Sequence, residues 1–356
     1  MSSNPVEEKW PAGVVEVSEA RDWIASVLPG HPLVLAPTEV YAAKANFGVT
    51  ARFAVSGGED VVFKANVYEG FDGAPFAFDL LSRHCAGQVP EVIAWQEDQG
   101  RSWILMRPFE GAVLSSLRST GVLKEMGRAL ARIQTQVAAL PPFEMSRLPR
   151  VDMGSIIDLF DALVGNIETH TATVWESQVK LSEILGFPGG ELAARLQGLR
   201  PQVVSWIEEL DGQKWPDTIC HGDLHAENAV LQADGRVLIY DWEDAFIGCP
   251  FLALERLLVQ AWNWDAGSES VGPWGYAEGT PGQEQVREAY LETLPFGEEQ
   301  SRRRACDLAM GLAVIREAYA EWRWALSVEW PDGNPEWTAQ LMNRLFQHRD
   351  RIEEQV

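Results

Sequence analysis

Apolar positions along the chain follow two rhythms, and the change between them falls near residue 107. Ala20, Trp23, Ile24, Val27 and Leu28 share one face of a first helix, with Ser18 as its cap and Pro29-Gly30 as its stop. Short segments at 40–45, 50–55 and 60–65 then predict strands, and Ser56-Gly57-Gly58 is the clearest hairpin turn among them. A short helix is expected over 74–84. Segments 92–95 and 103–106 predict another strand pair, joined by a polar turn around Asp98-Gln99-Gly100. The first part of the chain is thus a small sheet-rich unit with one internal helix.

Residues 107–111, Arg-Pro-Phe-Glu-Gly, break that pattern, and helical spacing dominates afterwards. Val122, Met126, Leu130, Ile133 and Val137 repeat on one face until Pro141-Pro142 stops them. Met153, Ile156, Ile157, Phe160, Leu163, Val164 and Ile167 give a second amphipathic run, and 189–210 a third, interrupted by Pro201. Two short strands interrupt the helices at 219–244. Leu254, Leu257, Leu258, Ala261 and Trp262 resume helical spacing, and the Gly-rich stretch 266–282 is a loop. Two more helices follow, one carrying Leu308, Leu312, Ile315, Tyr319 and Trp322, the other capped by Asn334 with Pro335 at its first position. The expectation is an α+β fold of two lobes, residues 1–107 strand-rich and residues 108–356 helical.

Composition narrows the function classes. With 46% hydrophobic and 23% charged residues, the 356-residue chain is long enough for two lobes around a sizeable core. A net charge of −23 argues against nucleic acid or an anionic membrane surface as partner, since both require a basic footprint. It would suit a cationic substrate, although acidic surfaces chiefly serve solubility. Cys85, Cys220, Cys249 and Cys306 form no CxxC pair, which speaks for reduced thiols rather than a zinc site or a disulfide scaffold. The beginning MSSNPVEEKWPAG is unlike a signal peptide, and no apolar run approaches membrane-spanning length, so a cytoplasmic location is expected.

The chemistry concentrates in 219–244, ICHGDLHAENAVLQADGRVLIYDWED. Asp234-Gly235 is a strong two-residue hairpin signal, and a type I′ turn there sets Asn228 directly opposite Asp241. Opposed residues have Cβ atoms roughly 4.5–5.5 Å apart, close enough for an amide oxygen and a carboxylate to share a Mg²⁺ ion. Asp223, five residues before Asn228, can orient a hydroxyl and accept its proton, and Gly222 lets the backbone turn beside it.

His221-Gly222-Asp223-x-x-x-x-Asn228, a hairpin, and then Asp241-Trp242-Glu243 resembles the aminoglycoside phosphotransferase and choline kinase family, small-molecule kinases with a protein-kinase-like fold. The resemblance spans roughly residues 35–265. It implies ATP as phosphoryl donor, Asp223 facing the acceptor hydroxyl, and Asn228 and Asp241 holding Mg²⁺. It also implies Lys64 on the ATP phosphates and a hinge at 106–109, with Met106 and Phe109, meeting adenine. Three features depart from the family pattern. No Gly-rich loop precedes Lys64, and Asn46 and Gly48 in 45–49 are the nearest phosphate-cradling candidates. Gly73 and Ala74 stand where a helix Glu usually pairs with the lysine, with Glu69, Asp72 and Asp79 nearby. After the metal Asp, two acids of the usual segment are missing from 248–255.

The same resemblance implies a small-molecule hydroxyl acceptor, such as an aminoglycoside-like antibiotic, amino alcohol or amino sugar. Glu243, Asp244, Trp262, Trp264 and Asp265 are candidates for binding it, and Trp274 and Tyr276 for closing over it. With 15 Trp in the chain, core packing is an equal account of Trp262 and Trp264. Two other classes remain: a pseudokinase or binding module that keeps the fold without turnover, and a metal hydrolase built on His221, Asp223 and His225.

Overall fold

Five antiparallel strands build the first layer of a computed structural model that describes residues 10–11, 13–44, 47–71, 73–98, 101–166, 171–172, 179–180, 191–266, 279–327 and 335–354. After helix α1 (Val17–Val27) come β1 (Val34–Lys44), β2 (Gly48–Val55), β3 (Val61–Asn66), helix α2 (Ala74–His84), β4 (Val92–Asp98) and β5 (Arg101–Met106). The strand order is β1-β2-β3-β5-β4. Asn46, Asp72, the 99–100 turn, Ile167, Trp274, Tyr276 and Asn334 lie outside the described residues, as do the side chains of Glu69 and Trp322.

The central strand shows why the site forms on this sheet. In VVFKAN, alternate residues point to opposite faces. Phe63 and Ala65 are fully buried against α1 in one core. Phe63 meets Trp23, Phe53 and Trp103 edge-on at centroid distances of 5.8, 6.0 and 5.6 Å, contacts that each add about 0.5–1.5 kcal/mol to simple burial. Val62 faces the other way, into a larger core that runs through α2 into the helical part. Lys64 shares the face of Val62, between Thr50 on β2 and Ile104 on β5, so an anchored strand presents it towards the helices.

Past β5, residues 107–111 are extended without regular structure, and helices take over. The amphipathic runs become Thr120–Ala138, Met153–Asn166, Glu191–Gly212, Glu255–Ala266, Pro281–Thr293, Glu299–Ser327 and Pro335–Glu354. Two expectations need correction. The first helix is capped at Glu16, whose side chain and that of Glu19 form a reciprocal capping box, so it starts before Ser18. The third run passes through Pro201 unbroken: Leu196, Leu199, Val203 and Trp206 bury its apolar face on both sides of the proline, and that packing outweighs one missing backbone hydrogen bond.

The 219–244 stretch is bracketed by two small ladders instead of lying on one hairpin. Thr218–Cys220 pairs with Phe246–Gly248, and Ala229–Leu231 pairs with Val237–Ile239 and with Ala112–Val113. Buried Gln134 pins the first ladder to the helix Thr120–Ala138. Its amide nitrogen donates to the carbonyls of Ile219 (3.1 Å) and Pro250 (2.9 Å), and its oxygen accepts from the Tyr290 hydroxyl (2.6 Å). The four cysteines are buried and free. No helix among the described residues is long and apolar enough to cross a membrane.

Candidate active site

The loop after strand Thr218–Cys220 is held from both ends. His221 is fully buried; its Nε2 bonds the Tyr240 carbonyl at 2.8 Å and its Nδ1 the Asp223 amide at 3.3 Å. Burial pushes its pKa down, so the ring is neutral, donates from Nε2 and accepts at Nδ1. It ties Asp223 to the residue preceding Asp241. Gly222 has φ +83°, and a Cβ placed there would lie 2.2 Å from the Asp244 carbonyl oxygen. Only glycine lets these two chain segments touch.

Asp223 follows with its carboxylate already engaged. Arg256 Nη1 lies 2.8 Å from Oδ1 and His225 Nε2 3.3 Å from Oδ2. Burial works to raise this carboxyl, but the His225 bond and the charges of Arg256 and the histidines outweigh it and hold it well below the usual range. Asn228 donates from Nδ2 to the Asp223 carbonyl at 2.9 Å. His221 and His225 therefore serve the loop, and among the described residues no group of three or more His, Cys, Asp or Glu side chains is arranged to hold a metal ion.

The hairpin register differs from the expected one by a residue. Ala229 pairs with Ile239 and Leu231 with Val237, across a loop of Ala233-Asp234-Gly235 in which only Gly235 has positive φ (+83°). Asp234 instead accepts the Arg236 amide at its own carboxylate, a local bond that favours the longer turn. Asn228 consequently lies across from Tyr240, whose amide donates to the Asn228 carbonyl at 2.9 Å. Asp241 sits one step further, in a left-handed conformation (φ +67°). Direct opposition of Asn228 and Asp241 is thus overturned. That left-handed step turns Asp241 into the cleft between the lobes.

There Asp241 meets Lys64, in a hydrogen-bonded ion pair with Oδ1, and Glu243 Oε2 lies 2.9 Å from the same ammonium. Burial disfavours the Lys64 charge, yet the two carboxylates outweigh it and raise its pKa. Burial pushes Glu243 up to about 8 against the opposing effect of Lys64. Asp241 is net lowered: burial raises it, and Lys64 more than compensates. On α2, Phe78 lies 5.9 Å from the ammonium, while Asp79 pairs with Arg83. The carboxylates on the lysine thus come from the segment after the hairpin. Glu243, expected near the acceptor, is bound to Lys64.

Lys64, Asp223, Asp241, Glu243 and Asp244 all line one cleft of about 370 Å³ between the sheet and the helical part. Gly48 lines it too; a Cβ there would fall 1.8 Å from the Ala65 carbonyl oxygen, so β2 passes β3 at its closest beside Lys64. Met106 is buried at the end of β5, and Phe109 packs on Tyr240 with centroids 5.3 Å apart. Both stand at the connection between the lobes. Trp262, Trp264 and Asp265 are placed elsewhere. Trp262 is buried beside Val259, Trp264 packs on the main core, and Asp265 accepts the Gly282 amide. Both tryptophans thus serve packing.

Sequence reasoning missed two groups on the cleft wall. Phe47, Tyr68 and Phe71 pack together, with centroids 5.1–6.2 Å apart, and line it from the sheet side. Arg256, Arg316 and Glu317 line it from the helices. Arg256 stands one residue into a predicted helix and Arg316 inside an apolar one, and charged residues on such faces are the only trace they leave in sequence.

Asp244 provides a pH test. Burial, then repulsion from Asp223, pushes its carboxyl up to about 6. A carboxyl raised in the fold stabilises the protein while protonated, and that contribution is lost as pH rises through the folded value. Asp244→Asn is therefore expected to raise the melting temperature of the ligand-free protein at pH 8 and to leave it nearly unchanged at pH 4, read by thermal denaturation at both.

The site can also be weighed as a cation centre. With Nδ2 of Asn228 directed at Asp223, its Oδ1 is the atom left for a cation, and Asp241 adds one carboxylate open to the cleft. So sparse an oxygen set fits Mg²⁺ held mainly by phosphates and water rather than a closed protein cage.

The sequence model of APH, the phosphotransferase enzyme family, matches residues 76–289. No curated protein matches the chain in sequence. Among solved structures, a Plasmodium vivax ethanolamine kinase superposes with a TM-score of 0.64 at 11% identity, covering 99% of this chain and 98% of its own. A variant of aminoglycoside 2'-phosphotransferase-IIIa, solved as a GDP complex, gives 0.54 at 15% identity, covering 94% and 98%. A macrolide 2'-phosphotransferase type I gives 0.53 at 15% identity, covering 93% and 98%. At these identities the likeness is one of fold, the two-lobed kinase-like architecture.

Proposed function

This chain belongs to the APH phosphotransferase enzyme family, and from that membership we propose that it transfers the terminal phosphoryl group of ATP to a hydroxyl of a small molecule, with Mg²⁺. The observation that carries the proposal is a single cleft containing both a strand lysine paired with Asp241 and, on the adjoining loop, Asp223.

Asp223 receives the acceptor hydroxyl and takes its proton. A carboxylate held well below its usual range is a weak base, which suits a reaction whose transition state is largely dissociative and needs positioning more than proton abstraction. Lys64 turns from Asp241 and Glu243 to the phosphates, and Glu243 stands in for the absent helix glutamate by holding the lysine in place. Asn228 and Asp241 hold Mg²⁺, which, when bound, neutralises charge on the phosphate oxygens. Met106 and Phe109 flank the adenine. Gly48 lines the cleft where the phosphates would pass.

Mg·ATP binding tests the nucleotide half. The intact protein should melt at higher temperature with Mg·ATP than without it. Lys64→Ala should weaken Mg·ATP binding by roughly tenfold to a hundredfold in calorimetric titration, the loss typical of a charged hydrogen bond. Equal affinity in that variant would remove Lys64 from the nucleotide site. A pseudokinase would bind without turnover, and a hydrolase would need no ATP; neither has a specific observation in its favour.

A further inference from the structure

We propose that the acceptor carries an anionic group, a carboxylate or a phosphate, and that Arg316 is the residue that binds it. This rests on the phosphotransfer reading of the cleft and names the substrate class for it.

The charges on the helical wall decide the sign. Five charged side chains line the cleft there beyond the nucleotide-facing Lys64, Asp241 and Glu243: Asp223, Asp244, Arg256, Arg316 and Glu317. Arg256 is engaged by the protein, its Nη1 2.8 Å from Asp223 and its Nε 2.5 Å from Glu317. Glu317 is shared with Arg344, itself 2.5 Å from buried Glu255. These pairs lock Asp223 and Glu317 and leave neither acid for an ammonium group. Arg316 differs. Its guanidinium stacks over the Phe246 ring at 4.1 Å, and no described carboxylate lies within ion-pairing distance of it. Asp244 is the acid that acts on it most strongly, from beyond that distance, and burial pulls its pKa down.

A guanidinium that lines the cleft while held over an aromatic ring can meet a carboxylate or phosphate through two parallel bonds. A cationic acceptor would meet two arginines on the cleft wall, with Asp223 and Glu317 already paired and Asp244 left to receive it. The net charge of −23 describes the protein surface and not this wall.

The test uses the full-length protein, Mg·ATP and matched acceptors. Hydroxy acids, sugar acids and sugar phosphates are set against amino alcohols, choline-like amines and aminoglycosides, with ADP release followed for each. The expected result is turnover confined to, or at least about tenfold more efficient with, the anionic set, with the carboxylate and phosphate arms showing which anion is preferred. Arg316→Ala should raise KM for that acceptor by about tenfold or more, as loss of a charge-assisted bond does, with Mg·ATP affinity unchanged. Arg316→Lys keeps the charge and should restore part of the loss, and it serves as the folded variant should alanine disrupt packing on Phe246. Preferential turnover of cationic acceptors, or a KM indifferent to both substitutions, would overturn the inference while leaving phosphotransfer intact. Failure to bind Mg·ATP at all would instead count against the phosphotransfer reading.

Discussion

Asp223→Asn is expected to lower kcat by about 10²–10⁴-fold, the contribution of a positioned acid–base group, while Mg·ATP affinity stays close to that of the unaltered protein. The reason lies in the separation of roles across the cleft. Lys64, Asp241 and Glu243 form one charge cluster, whereas Asp223 is bound by His225 and Arg256 from the other side. Removing its charge should therefore leave the nucleotide half in place. Single-turnover ADP release, with calorimetric titration of Mg·ATP, separates the two effects. The depressed pKa means that ionised Asp223 also stabilises the fold near neutral pH, a contribution lost as pH falls. Melting temperature must accordingly be followed alongside.

Gly222→Ala should be severely damaging for so small a substitution. The added Cβ would fall 2.2 Å from the Asp244 carbonyl oxygen and 2.9 Å from its carbonyl carbon, in a backbone at φ +83°. Neither segment can give way easily, because Thr218–Cys220 and Phe246–Gly248 are paired on either side. The left-handed conformation costs about 1–2 kcal/mol and overpacking about 1–3 kcal/mol more. A fall in denaturant midpoint consistent with that range is expected. Activity should fall further than stability, since displacing a reacting group by about 1 Å costs on the order of 10²-fold in rate. Unaltered stability and kcat would show that the loop is looser than its contacts indicate.

The lobes were legible because periodicity reports burial directly. Alternation along β2 and the helical spacing of 122–137 each mark a face that must be covered. Asp223, Lys64 and Asp241 were legible for another reason: the motif fixes their spacing in the chain. The hairpin register was misread because the Asp234 side chain closes a three-residue loop on the Arg236 amide, a local bond that the Asp-Gly pair does not announce. Glu243 was assigned to the acceptor because its spacing from Asp241 says nothing of the left-handed step that directs this segment at Lys64. Trp262 and Trp264 were left between core and acceptor because aromatic side chains serve both alike, and the fold puts them in packing. Arg256 and Arg316 left almost no signal. They come from separate helices more than fifty residues apart in sequence, and only the packing of Glu255–Ala266 beside Glu299–Ser327 brings both to the cleft.

Phosphorus NMR of a reaction containing the purified protein, Mg·ATP and an accepted hydroxyl compound tests the central claim most directly. The account predicts that ATP disappears into ADP and one new phosphomonoester in equal amounts, with no excess inorganic phosphate, and that Asp223→Asn abolishes the new signal. Formation of inorganic phosphate alone, or an undiminished phosphomonoester signal in that variant, would contradict it.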